Sequence, residues 1–352
     1  MGAYLTLLNN VVKSNFGSLA KPYKLTFVVS YSCNSRCKLC SIWKRKTIGE
    51  LTLEEIKHLF SKNPYFNWID VTGGEISTVP DIDAMFDAII TSSPNLYLLH
   101  FPTNGFMTKR IIGTVNHILG YNVPKTIVSI SLDGPQELHD RLRGIKHGWR
   151  NAIDTYRHLA KLRSDRFDCY LGMTLSKYNI SSIGQTLAEV KKEIPVFDER
   201  SLHINIAHSS EVYYENRDDY KDFSISAEDY KAYVIPFIRR RALSFSPVQM
   251  LEQKYQGKII KYLESKKVPM TCRSLDVSCF IDSKGIVYPC GFFNHPVGSL
   301  REHDFDLIHI LRSKKSMDLI QEIRKKKCPN CWTPCEAYQT ILGGVFSKGF
   351  YT

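Results

Sequence analysis

The chain contains no run of about eighteen uninterrupted apolar residues, which excludes a membrane-crossing helix. Its first residues lack the charged, apolar and small-residue pattern of a secretory leader, so a cytoplasmic protein with reduced thiols is expected, with a peripheral place at a membrane surface left open. No internal repeat and no long low-complexity linker is present, which excludes solenoids and arrays. Nor does any segment read as an RNA-binding module. Acidic residues are in short supply, 35 against 47 Lys and Arg, giving a net charge of +12. That balance predicts attraction to anionic lipid, RNA or acidic redox proteins without choosing among them. The densest basic clusters are Arg239-Arg240-Arg241 and Lys325-Lys326-Lys327, whose bland reading is a solvated helix face.

What is present points to one large enzyme. At 352 residues and 43% apolar content the chain can bury a sizeable core, with room for a catalytic domain and an appendage. Ten cysteines fall into two fields, with Cys169 alone between them as a buried apolar thiol. The first field, Cys33-Asn-Ser-Arg-Cys37-Lys-Leu-Cys40, follows the apolar run Lys24–Ser30. Three thiolates leave one iron of a 4Fe-4S cluster without a protein ligand, since protein cubanes normally take four. The rival reading is a structural zinc knot on a binding protein without catalysis, although zinc sites usually show paired Cys or Cys/His sets.

From Lys21 to about Ser210, short apolar runs alternate with amphipathic stretches. The runs are Leu25 to Ser30, Trp68 to Thr72, Leu96 to Phe101, Thr126 to Leu132, Tyr170 to Leu175 and Leu202 to Ile206. Between the first two, Thr52 with Glu55 three residues on forms a capping box. Strand–helix repetition predicts a parallel sheet with helices outside it, in too few units to close a barrel of eight. Ligands then gather at the carboxyl ends of the strands. There lie Val71-Thr72-Gly73-Gly74-Glu75, Phe101-Pro102-Thr103-Asn104-Gly105, Ser129-Ile130-Ser131-Leu132-Asp133, then His139-Asp140-Arg141-Leu142-Arg143, and Met173-Thr174-Leu175-Ser176. The second cysteine field runs Cys272, Cys279, Cys290, Cys328, Cys331 and Cys335, with Gly285 four residues short of Cys290 and a hairpin expected around Asp282–Gly285.

The Cys33-Cys37-Cys40 spacing, with Gly73-Gly74-Glu75 after the next strand, resembles the radical S-adenosylmethionine (SAM) superfamily. Leu39 stands where that family usually has an aromatic residue. The resemblance implies an α/β fold, a partial (β/α)6 barrel over residues 21–210. It implies that a 4Fe-4S cluster on Cys33, Cys37 and Cys40 binds SAM, and that reductive cleavage gives a 5'-deoxyadenosyl radical that abstracts hydrogen from an unactivated carbon. Gly73, Gly74, Glu75, Asn104, Ser131, Asp133, Arg143 and Leu175 are the expected SAM-binding residues. The second field resembles SPASM and twitch extensions, a small cysteine-rich α+β domain over 265–345. It has fewer cysteines than a full SPASM domain, so one auxiliary 4Fe-4S cluster is expected and a second stays open. Cys272, Cys290, Cys328 and Cys331 are the first choice of ligands, with Cys279 or Cys335 as replacements. The resemblance further implies a flavodoxin or ferredoxin electron donor and a peptide or protein substrate, with lipid, sugar or RNA as alternatives. Sulfatase-maturing relatives carry an acidic residue after the cysteine matching Cys290; here it is Gly291. Asp70, Tyr31 and His208 are further candidates to face the cavity, and no proton acceptor stands out. Residues 1–20 should form an amphipathic helix whose stripe Leu5, Leu8, Val12 and Phe16 packs on the barrel, and 211–264 a charged helical bridge.

Overall fold

The computed structural model describes residues 2–218, 223–241, 244 and 246–346. Parts of the expected bridge, residues 219–222, 242, 243 and 245, lie outside the described residues. Six strands, β1 (Lys24–Val28), β2 (Trp68–Thr72), β3 (Leu98–Thr103), β4 (Lys125–Ser131), β5 (Phe167–Leu175) and β6 (Leu202–Ile206), pair in parallel and in sequence order. This is the partial barrel. Its outer face meets α2 (Leu53–Lys62), α3 (Ile82–Thr91), α4 (Thr108–Leu119), α5 (Gln136–Arg143), α6 (Gly148–Ala160) and α7 (Ile183–Glu193). Side chains alternate along a strand, so Val128 and Ile130 enter the helix-facing core while Ser129 turns inward to His100. The Thr52/Glu55 capping box starts α2 with both reciprocal hydrogen bonds in place.

The cysteine-rich segment is not a detached module. Its hairpin, β7 (Ser278–Ile281) and β8 (Ile286–Tyr288), extends the barrel sheet because β7 pairs in parallel with β1. A two-residue β9 (Gly298–Ser299) ends that edge. The turn is set by Asp282, whose Oδ1 accepts from the amides of Lys284 and Ile286, and by Gly285 at φ 80°. Below the sheet, the helix Pro334–Leu342 closes the amino ends of the strands: Lys24 donates to Gln339 Oε1 at 3.0 Å and Tyr338 stacks on Trp68. The helix Pro247–Gly257 packs beside β6, where Glu252 accepts from the Ile204 amide.

The first helix, α1 (Gly2–Phe16), corrects one expectation. Leu7 and Val11 pack against Tyr23, Trp68 and Val277, while the Leu5–Leu8–Val12–Phe16 stripe faces solvent. Asn10 bonds Asn67 at 2.7 Å and fixes that rotation. Among the described residues, no helix is long and apolar enough to cross a membrane.

Candidate functional site

The loop after β1 brings Cys33, Cys37 and Cys40 to the carboxyl end of the sheet. Arg36 and Lys38 donate their amides to the carbonyls of Arg143 and Leu142, pinning the loop to the end of α5. From the other side, Glu50 accepts from Ser30 Oγ, the Tyr31 amide and Ser283 Oγ, tying the loop root to the β7–β8 hairpin. The three thiols sense one another. Burial, with the neighbouring thiols, pushes Cys33 up to about 11 and Cys40 up to about 12.

Gly73 and Gly74 are explained first by packing. A Cβ on either would collide with the carbonyl of Ser30 or Ser32, so the two loops can meet only through bare backbone. The amides of Gly74 and Glu75 donate to those same carbonyls at 2.9 and 2.8 Å. Glu75 is buried, and its carboxylate accepts from Ser77, Thr103 Oγ1 at 2.7 Å and the Asn104 amide at 2.6 Å. With four donors taken up, its side chain organises the β2 and β3 loops rather than presenting itself to a ligand. Asn104 reaches back to Asn34 Oδ1 at 2.7 Å and Ser35 Oγ at 3.2 Å, buttressing the cysteine loop.

Asp133 and Arg143 form a buried ion pair at 2.7 Å, and Asp133 also accepts from the Thr174 amide. Arg143 Nη1 lies 3.9 Å from Cys37 Sγ, the protein's own cation beside the thiols. Burial alone would lower its pKa, but Asp133 and Cys37 more than offset that and raise it. Ser131 shares the inward face of β4 with Ser129, half-buried and in no side-chain hydrogen bond among the described residues. Leu175 does not fit its expected role. Its side chain sits in the helix-facing core and its carbonyl is taken by the Ala207 amide, because strand pairing with β6 claims this stretch.

Several residues at the site carry no motif. The segment after β6 crosses the cysteine loop: Tyr213 OH donates to the Gly73 carbonyl at 2.7 Å and meets Thr72 Oγ1, and Asn216 donates to the Leu39 carbonyl. Inside the barrel, His100 bridges Asp70 Oδ1 at 3.1 Å and Ser129 Oγ at 3.0 Å, and Lys24 lies 3.0 Å from Asp70. Burial pushes the Asp70 pKa up, but Lys24 and His100 outweigh it and hold the carboxyl below its usual range. Period-two alternation in Leu98-Leu99-His100-Phe101 is the one sequence signal that would have aimed His100 inward. Tyr31, by contrast, is buried under the Arg45 guanidinium, and His208 is buried against Tyr262 and Phe292, so both are structural.

In the second field, Cys290 comes within electrostatic reach of Cys272, Cys328 and Cys331, and Cys272 is likewise near Cys328 and Cys331. Two cysteines stand apart. Cys279 lies on the outer face of β7 in the apolar core, where burial raises its pKa. Cys335 is exposed at the start of the helix Pro334–Leu342, within electrostatic reach of Lys24, Asp70 and Glu336. Among the described residues no three His, Cys, Asp or Glu side chains converge tightly enough for a single metal ion, as a zinc knot would require.

Residues 27–190 match the radical SAM superfamily and residues 272–336 match the SPASM iron-sulfur cluster-binding domain. The chain is a radical SAM enzyme with a SPASM domain. Its cofactors are SAM, a SAM-binding 4Fe-4S cluster and an auxiliary 4Fe-4S cluster. An AdoMet-dependent heme synthase of Methanosarcina barkeri (strain Fusaro / DSM 804) is 24% identical over 352 residues, covering 94% of this chain and 92% of that protein. Two solved structures share the fold of the radical SAM enzyme. Native anSMEcpe with bound AdoMet and the Kp18Cys peptide has a TM-score of 0.61 at 14% identity, covering 93% of this chain and 97% of that one. SuiB of Streptococcus suis bound to S-adenosylmethionine gives 0.60 at 16% identity, covering 97% and 77%.

Proposed function

We propose that Cys33, Cys37 and Cys40 hold the SAM-binding cluster, that Cys272, Cys290, Cys328 and Cys331 hold the auxiliary one, and that the substrate is a peptide or protein side chain. Both thiol sets fit an iron-sulfur group by donor type and placement: three free thiols on one loop at the carboxyl end of the sheet with the Arg143 guanidinium 3.9 Å from Cys37 Sγ, and four free thiols gathered around Cys290 and Cys272. When bound, cluster and SAM supply a 5'-deoxyadenosyl radical that takes hydrogen from an unactivated carbon. The chain's own residues prepare that encounter. Arg143, held by Asp133, balances negative charge beside Cys37, and Tyr213 fastens the Gly73–Gly74 edge against which SAM would lie. Ser131 offers a free hydroxyl on the same face as His100, which, between Asp70 and Ser129, is placed to take a proton from an oxidised substrate. An acidic flavodoxin or ferredoxin suits the +12 chain as electron donor.

The observation that carries the peptide reading is the row of half-buried polar side chains, His100, Ser129 and Ser131, on the inward face of β3 and β4 below the cysteine loop, which suits a polar side chain as the reacting group. The fold shared with peptide-bound anSMEcpe and SuiB supports it. A second reading, a step of heme synthesis, is favoured by the heme synthase relative that matches along nearly its whole length. Gly291 also sets this chain apart from sulfatase-maturing relatives: a Cβ there would press on the Phe280 ring at 3.1 Å, so the ring would have to shift to admit a larger side chain.

The test is iron and sulfide content with electron paramagnetic resonance on anaerobically reconstituted protein, with and without SAM. A reduced signal that shifts with SAM, and is absent from the Cys33→Ala/Cys37→Ala/Cys40→Ala variant, is expected; zinc without sulfide would overturn the assignment. Formation of 5'-deoxyadenosine stimulated by a short peptide encoded beside the gene, and not by a heme precursor, would decide between the two substrates.

A further inference from the structure

We propose that the exposed face of α1 is a docking surface for an anionic lipid bilayer. Tyr4, Leu5, Leu8, Val12 and Phe16 recur at helical spacing along one stripe and are 40–77% exposed. Phe346, 62% exposed, stacks on Phe16 and widens the stripe at its end. These six make up half of the twelve large apolar side chains that the described residues expose, so the apolar surface is concentrated rather than scattered. The helix cannot hide the stripe by rolling. Its opposite face is committed through Leu7, Val11 and Asn10, and Tyr4, at the edge of the stripe, leans on the Tyr97 ring.

Charge selects the occupant. α1 contains no acidic residue and carries Lys13. The turn that follows carries Lys21 and receives Arg312, which donates to the Ala20 carbonyl. Arg273 and Arg324 also reach this turn, at Gly17 and Ser18, and the acid beside them, Asp276, is buried and shared by both. An apolar stripe with a cationic rim lies in a bilayer interface by burying the stripe and pairing the rim with anionic headgroups. A second copy would set the same cations against their own images.

The position in the fold gives this a consequence. The contacts of α1 fall on Tyr23, Asn67, Tyr97 and Val277, each just ahead of a parallel strand, so the helix lies beneath the amino ends of the barrel. The cysteine loop and the Gly73–Gly74 edge lie at the opposite end. A bilayer under α1 therefore leaves the catalytic mouth facing solvent, open to a soluble electron donor.

Cosedimentation of the full-length, cluster-reconstituted protein with vesicles of phosphatidylcholine alone, or mixed with phosphatidylglycerol, tests the proposal. Wild type should sediment with the mixed vesicles, less so at high salt. The Leu5→Ser/Leu8→Ser/Val12→Ser variant should lose affinity by about tenfold or more, with iron content and circular dichroism unchanged because all three side chains are exposed. No sedimentation of wild type, or equal binding by the variant, overturns it. So does a wild-type dimer in light scattering that the variant disperses while neither form binds vesicles.

Discussion

The two groups of thiols differ in how they are assembled. Cys33, Cys37 and Cys40 belong to one loop of eight residues, pinned by nearby strand and helix ends and crossed by the segment after β6, from which Asn216 donates to the Leu39 carbonyl. Cys272, Cys290, Cys328 and Cys331 come from three separate stretches of chain that meet only because β7 joins the barrel sheet and carries the hairpin with it. A group built on one loop keeps its spacing when its surroundings change, whereas one built from distant segments depends on the packing that gathers them.

The largest effect that tests this difference is on catalysis. Replacing Cys37 by Ala should remove SAM cleavage from detection while leaving the auxiliary iron and the thermal midpoint nearly intact, as read by 5'-deoxyadenosine formation, iron content and calorimetry. Cys290→Ala should instead lose roughly half the iron, one cluster of two, and lower the midpoint as well, because its thiol sits buried among the others. Should both variants lose the same iron and the same stability, the contrast fails.

Next comes Gly74→Ala. Its Cβ would strike the Ser32 carbonyl, so the loops must part. We expect a loss of SAM affinity by about tenfold or more and a destabilisation of about 1–3 kcal/mol, measured by SAM titration and denaturant unfolding. A smaller effect separates the regions by pH. Burial lowers His203, in β6, to about 3 and His208, against the cysteine-rich segment, to about 4. Both stay neutral in the fold, while the unfolded chain protonates them below about 6.5. Their stabilising contribution is therefore full above that pH and is lost as pH falls toward 4, about 2 kcal/mol from each by pH 5. His208→Phe should flatten the part of this dependence that belongs to the cysteine-rich segment. The smallest effect is expected for Cys279→Ala, which should keep all iron and cost about 1 kcal/mol of core packing; loss of the auxiliary cluster in that variant would return Cys279 to the ligand set.

Much of the barrel was legible because parallel strands buried on both faces write themselves as β-branched runs: Trp68–Thr72 and Leu202–Ile206 have the same bounds in sequence and structure. The site was legible where chemistry follows local spacing. It was not legible where a side chain's role depends on what opposes it. Glu75 reads as a ligand-facing acid until Thr103 and Asn104 surround it. Leu5, Leu8, Val12 and Phe16 read as a packing stripe until Asn10 and Val11 turn the helix over.

The sequence by itself determined the repeating strands, the three-thiol loop, the glycine pair after β2 and the excess of positive charge, since each is set by neighbours a few residues apart. Only the tertiary structure decided which thiols of the second field meet, that Cys335 is exposed while Cys279 is buried, that His100 lies between Asp70 and Ser129, and which face of α1 meets solvent. The physical reason is that these depend on burial and on partners far along the chain, which local spacing does not encode.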